Sequence, residues 1–297
     1  MTSQRNEPRP LRVCSLLPSA TEIVAMLGMA DCLVGVSAEC DWPGQVRGLP
    51  VVSASRIDTS TLSPRQIDEA VRRAVASGHS LYAVDAELIE RLNPDLIITQ
   101  DLCAVCAVSS GELSTLGTVA AETITADARS IAGIGACVLK LASRLGVPER
   151  GRAVAEAMDA RISQTRDRVR GRPRRAVFVC EWPDPPFAAG HWVPEMVEAA
   201  GGTPVLGRAG EPSFPTTWAE VRQAQPELVV LAPCGFDAER TARTAQVPPL
   251  GCPVVAVDAN AYFSRPSPRI ADGIAQLGHL THPEAVPDPG LPAITIG

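Results

Sequence analysis

The sequence predicts an α/β protein of two Rossmann-like lobes joined by a long helix. Three observations carry that prediction. Strand-like segments alternate with capped helices in both halves of the chain, residues 128–171 read as helix with no strand signal, and one helix-proline-strand block occurs twice. Alternation of this kind places a mostly parallel sheet between layers of helix. The expected division is an N-terminal lobe over 11–127, the connecting helix over 128–171, a C-terminal lobe over 172–283 and a loose tail over 284–297.

Leu11 to Leu17 is rich in β formers and stops at Pro18; Ser19-Ala20-Thr21-Glu22 then has the spacing of a capping box, and Gly28 closes the helix it opens. Leu33 to Ser37 and Pro50 to Ser53 read as short strands. Ser63-Pro64 starts a helix that runs to about Ser77, with proline in the first turn, where its missing N–H costs nothing. Asp85 caps the next helix, and Pro94 opens the strand Asp95 to Thr99. The helical stretch that follows is rich in Ala, Leu, Val, Arg and Glu and has one interruption, Gly146-Val147-Pro148.

Strands resume at Arg175 to Trp182, followed by the turn Pro183-Asp184-Pro185-Pro186 and a helix near Val193 to Ala200 that Gly201-Gly202 stops. Thr217 caps a helix to about Ala224, Pro226 opens the strand Glu227 to Ala232, Pro253 to Val257 is the next strand, and Pro268 to Leu280 is the closing helix. The repeat aligns Glu87 to Ile98 with Ala219 to Val230 in helix, proline and strand, and the two strands run out toward Cys103 and Cys234. Ligands of open α/β sheets lie beyond the carboxyl ends of the strands, so facing lobes would direct both exits into one crevice.

At 297 residues, 45% hydrophobic and 20% charged, the chain has the make-up of a folded globular protein rather than a disordered or fibrous one. Its net charge of −6 argues against a nucleic-acid partner, which requires clustered cations. The basic run Arg168 to Arg175 is the exception, and it reads as a helix C-terminus, where cations complement the dipole. No apolar stretch is long enough to insert in a membrane. The N-terminus shows no secretory signal pattern, from which a cytoplasmic location is expected.

Leu17-Pro18-Ser19-Ala20-Thr21-Glu22, the Cys40-Asp41-Trp42-Pro43 turn, Asn93-Pro94-Asp95-Leu96-Ile97-Ile98, the block from Pro185-Pro186-Phe187 to Gly201-Gly202, and Ser267-Pro268-Arg269-Ile270 together resemble, in order and spacing, the substrate-binding proteins of iron-siderophore and vitamin B12 ABC importers. The likeness covers about Leu11 to Pro283. It implies two lobes with ligand between them, a cobalamin, related corrinoid or other small-molecule metal chelate as cargo, and a transporter permease as partner. In the B12-binding branch an aromatic residue at the position of Trp42 packs against the corrin. Where those receptors carry another aromatic contact, this chain has Gln100-Asp101-Leu102-Cys103-Ala104-Val105-Cys106. In this it resembles signal-less relatives labelled cobalamin-binding.

Nine cysteines are too dilute for a disulfide framework. Cys40, Cys103, Cys106 and Cys234 all follow strand ends; as thiolates they would suit zinc or an iron–sulfur cluster, with thiol chemistry or plain unligated cysteines as the other readings. Cys14, Cys137 and Cys180 fall inside elements and read as small core hydrophobes, and Cys32 and Cys252 as structural. Trp42, Phe187, Trp192, Tyr262 and Phe263 sit on turns and suit walls around a flat chelate, whereas Trp182 reads as packing. His191 offers either a metal ligand or a helix-start histidine, and Arg265 either an acidic-group anchor or a lobe-edge ion pair. His279 and His282, at the end of the last helix, read as solvated. Phosphate-loop, nucleophile-elbow, zinc-protease and dinucleotide signatures are absent from the sequence. The expectation is a binding protein, not an enzyme, with Cys40, Asp41, Trp42, Gln100, Asp101, Phe187, His191, Trp192, Tyr262, Phe263 and Arg265 around its ligand. The alternative is a cytoplasmic metal or iron–sulfur protein, or an enzyme, that uses the four cysteines as a cleft site on the same fold.

Overall fold

The computed structural model describes residues 9–101, 108–114 and 121–296. In the first half β1 (Val13–Ser15), α1 (Pro18–Met26), β2 (Leu33–Ser37), β3 (Val51–Ser55), α2 (Pro64–Ala76), β4 (Tyr82–Val84), α3 (Ala86–Leu92), β5 (Leu96–Thr99), α4 (Ser110–Ser114) and β6 (Glu122–Thr125) follow one another. The strands form a sheet ordered β4-β3-β2-β1-β5-β6, parallel throughout except where β4 runs against β3. Its inner strand β5 is buried along its whole length, as an inner parallel strand covered on both faces must be.

The stretch expected as one connecting helix is two, α5 (Ile131–Arg144) and α6 (Pro148–Val169). Gly146 takes φ +74° between them, a left-handed conformation that ends α5 at little cost only for glycine, and Pro148 restarts the chain as the first residue of α6. The two helices pack closely at Gly151, where a Cβ would lie 2.3 Å from the Cβ of Ala142. Met158, Ile162, Thr165 and Val169 form the buried stripe of α6, which packs on α5 and the closing helix.

The second half comprises β7 (Arg175–Pro183), β8 (Pro186–Ala188), α7 (Val193–Ala199), β9 (Gly202–Pro204), β10 (Phe214–Pro215), α8 (Trp218–Gln223), β11 (Leu228–Leu231), α9 (Ala238–Thr244), β12 (Val254–Val257), α10 (Ala259–Tyr262), α11 (Ile270–Thr281) and β13 (Ala293–Ile296). The sheet runs β10-β8-β7-β11-β12-β13, with β9 also on β7. The tail, expected to be loose, instead contributes β13, which pairs antiparallel with β12 from Val254↔Ile296 to Val257↔Ala293.

The repeat read in the sequence has a structural counterpart. Asn93 and Gln225 end α3 and the α8 segment with positive φ of 44° and 49°, each just before its proline. Asp95 then accepts the N–H of Arg12 and Glu227 that of Ala176, both at 2.8 Å, clasping the neighbouring strand's start in the same way. One hydrophobic cluster crosses the whole molecule: Leu17 and Ile98 from the first sheet layer, Ile134, Leu141 and Ile162 from the connector, and Val230 and Leu277 from the second half.

Candidate functional site

Where the two halves meet, the structure builds a charged network. Glu22, in the first turns of α1, is fully buried and ion-paired to Arg265 Nη1 at 2.9 Å and Arg269 Nη1 at 3.0 Å. Ser267 donates its hydroxyl to the other Glu22 oxygen. Arg265 also reaches Asp41 through Nη1, and its Nη2 donates to the Glu39 carbonyl and to Asn260 Oδ1, each at 3.0 Å. Asn260 closes the circuit by donating to Asp41 Oδ2 at 3.1 Å. Two carboxylates and two guanidinium groups thus balance in charge across the lobe boundary, which is what the buried Glu22 and its two arginines require away from water.

The Arg269 guanidinium also lies over two aromatic rings, 4.9 Å from the Trp42 centroid and 5.0 Å from that of Tyr262. Trp42 belongs to the first lobe and Tyr262 to the second, so one cation joins the aromatic faces of both. A second set of contacts bridges the lobes elsewhere. Arg65 forms a two-pronged pair with Asp184, 3.0 Å at each prong, the Trp182 indole N–H donates to the Pro64 carbonyl at 3.2 Å, and Arg240 donates to the Thr59 carbonyl. Trp182 meets Phe236 edge to face at 5.4 Å, and Arg240 covers the other ring at 3.8 Å.

The residues expected at the site separate into distinct groups. Asp41, Trp42, Tyr262 and Arg265 come together; of the two readings of Arg265, the interlobe ion pair is the one present. Trp192 and Phe263 are 5% and 1% exposed and lie in the core, the indole N–H donating to the Phe263 carbonyl at 2.8 Å, so they do not form an open wall. Phe187 is half-buried on β8, facing Trp182 and Pro215 in the strand register. Gln100 is buried, and Asp101 accepts from the N–H and hydroxyl of Ser110 at 2.8 Å each. His191 stacks on Trp192 and takes φ +51°; its buried Nδ1 has no hydrogen-bond partner among the described residues, and burial, then the nearby Arg129, push its pKa below the ordinary value.

Of the four cysteines expected to form a thiolate site, Cys40 and Cys234 fall within the described residues. Cys103 and Cys106 lie outside the described residues. Cys40 is buried against the Thr21 hydroxyl at 3.1 Å, and its pKa is pushed up to about 11 by desolvation, which keeps it a neutral thiol. Among the described residues no group of three or more His, Cys, Asp and Glu side chains is placed to hold a metal ion. Cys14 and Cys180 are wholly buried, with pKa values raised to about 12 by desolvation, in keeping with core packing. His282 departs from its solvated reading: it is 4% exposed, with Nε2 3.2 Å from the Gly201 carbonyl.

Glu22, Asn260 and Arg269 were not legible as site residues. Glu22 carried the capping-box signal, but α1 begins at Pro18 and the carboxylate turns to the two arginines instead. The only sequence trace of Arg269 is its place in the Ser267-Pro268-Arg269-Ile270 motif.

Two α/β lobes on a helical connector, with an aromatic and cationic junction between them, define a ligand-binding protein of the two-lobe type. A model of the periplasmic binding protein family matches residues 13–247, and the chain belongs to that family. The vitamin B12-binding protein of Yersinia pestis (strain Pestoides F) is 27% identical over 273 residues, spanning 90% of this chain and 84% of its own. Among solved structures, the periplasmic vitamin B12 binding protein of Vibrio cholerae aligns with a TM-score of 0.64 at 22% identity over 90% of this chain and 94% of its own. A periplasmic heme binding protein of Pseudomonas aeruginosa aligns at 0.68 and 21% over 93% and 94%. These likenesses establish the class III two-lobe fold, and the family is one of binding proteins rather than enzymes. They overturn the cytoplasmic location expected from the N-terminus, because the family and the aligned structures are periplasmic. Nor do the relatives support a zinc or iron–sulfur site.

Proposed function

We propose that the protein is the substrate-binding component of an ABC importer, carrying a corrinoid of cobalamin type between its lobes to a permease in the membrane. The observation that carries this reading is the placing of Trp42 and Tyr262, from opposite lobes, on the one guanidinium of Arg269. Aromatic faces give a flat, largely apolar macrocycle a stacking surface, and a cation at their junction complements polar or acidic groups on its periphery. The likeness to the Yersinia vitamin B12-binding protein supports a corrinoid. Heme is the second reading, favoured by the likeness to heme-binding folds, and its flat ring would use the same faces.

Titrating purified protein with cyanocobalamin and, separately, with hemin, and following tryptophan fluorescence and the ligand's visible bands, tests the proposal. The expected result is saturable cyanocobalamin binding that Trp42→Ala weakens about tenfold, the worth of one good aromatic contact. Saturable hemin binding without cyanocobalamin binding would transfer the function to heme. Binding of neither would overturn the tetrapyrrole reading altogether.

A further inference from the structure

Away from the lobe junction, a cavity of about 970 Å³ opens between α5, α6 and α7. Ile131, Leu139, Met158 and Val169 give it an apolar lining, and Leu139 is 42% exposed there, one of few large hydrophobic side chains left in solvent. Arg166, Arg170, Arg172 and Arg174 line the end where α6 stops. Arg170 pairs with Asp167, Arg172 with Glu284, and Arg174 donates to the Gly202 carbonyl, whereas Arg166 has no ion pair among the described residues. The other charges on the walls are Asp159, Glu195 and Glu198, and one Glu195 oxygen is engaged by the Ile131 N–H at 2.6 Å.

We propose that this groove is a second ligand site, separate from the cleft, and that it binds a long-chain carboxylate of the fatty-acid class. The lining runs along α6 from Ala155 to Arg170, about 22 Å at helical rise, so the space is elongated and suits a linear chain better than a compact ring. One end is cationic, and a guanidinium fork matches a carboxylate head. Arg170, Arg172 and Arg174 are already engaged, and Glu195 and Glu198 stand at the same end, so Arg166 alone is left to fix the direction: head at Arg166, chain toward Leu139. Covering Leu139 and the exposed methyls of Ala132 and Ala136 with that chain removes hydrophobic surface from water.

The test is equilibrium displacement of cis-parinaric acid, fluorescent in apolar surroundings, from the full-length protein by oleate, with dodecyltrimethylammonium as a chain bearing the opposite charge. The expected result is saturable one-to-one binding, oleate displacing at least about tenfold better than the cation, and a loss of about tenfold or more in Arg166→Glu and in Leu139→Glu. Both side chains are exposed, so circular dichroism should report intact folds, and Trp42→Ala should bind the probe as the parent does. Four results would each overturn the proposal: no saturable binding, equal binding by both groove variants, displacement of the probe by cyanocobalamin, or sedimentation showing a dimer that Leu139→Glu dissolves. The last would mean that a second copy of the chain covers the groove.

Discussion

Glu22 sits with no solvent exposure between Arg265 and Arg269, and each guanidinium has lost most of its water to meet it. Arg265 keeps Asp41, but removing the Glu22 charge leaves Arg269 mostly buried without a carboxylate partner, which costs more than the pair itself contributes. Glu22→Gln is therefore expected to destabilise the fold by about 3–5 kcal/mol in urea unfolding, and an effect below about 1 kcal/mol would mean that water replaces the carboxylate. His191 gives a pH signature. Its folded pKa lies below the ordinary 6.5, chiefly through burial and then through Arg129, so its neutral form belongs to the folded state. The contribution is fully present above 6.5 and is lost as pH falls through the lower folded value. The thermal midpoint should drop on going from about pH 7.5 to about pH 5.5, and by less in His191→Gln; an equal drop in both would assign the acid sensitivity to other groups.

At the level of elements, α5 and α6 touch through a glycine because nothing larger fits: a Cβ at position 151 would stand 2.3 Å from the Cβ of Ala142. Gly151→Ala must push the two helices apart, and overpacking of this size costs about 1–3 kcal/mol. The expected outcome is a lower urea midpoint with unchanged slope. An unaltered midpoint would show that the hairpin adjusts freely. The repeated clasp at Asp95 and Glu227 shows how two distant segments reach the same geometry, each with a left-handed residue, a proline and a carboxylate that takes the neighbouring strand's N–H.

Across the whole molecule, the lobes are held together by α6, by the Glu22 network and by the Arg65–Asp184 and Trp182–Pro64 contacts. A helix of 22 residues does not fold at its middle as a flexible linker does, so ligand should move the lobes little. Small-angle scattering with and without bound cyanocobalamin should give nearly the same radius of gyration, whereas a contraction of several ångströms would indicate a hinge. The outer ion pair should matter much less than the buried one. Arg65 is 66% exposed, and such pairs contribute about 0–1 kcal/mol, so Arg65→Ala is expected to shift unfolding by less than about 1 kcal/mol.

The sequence by itself determined the α/β class, the capped helices and proline-led strands it could place, and the family, because these rest on local signals: caps at Ser63 and Thr217, prolines that start strands, and the alternation of apolar runs. Trp42, Asp41, Tyr262 and Arg265 were singled out because they stand beside recognisable motifs. Only the tertiary structure decided which charges meet. Glu22 lies 243 residues from Arg265 and 247 from Arg269, and nothing local distinguishes a glutamate that caps its own helix from one that holds two arginines of the other lobe. Separation in sequence also hid the burial of Trp192 under Phe263 and the pairing of the C-terminal strand with β12, for burial and sheet pairing belong to the assembled chain rather than to any one segment of it.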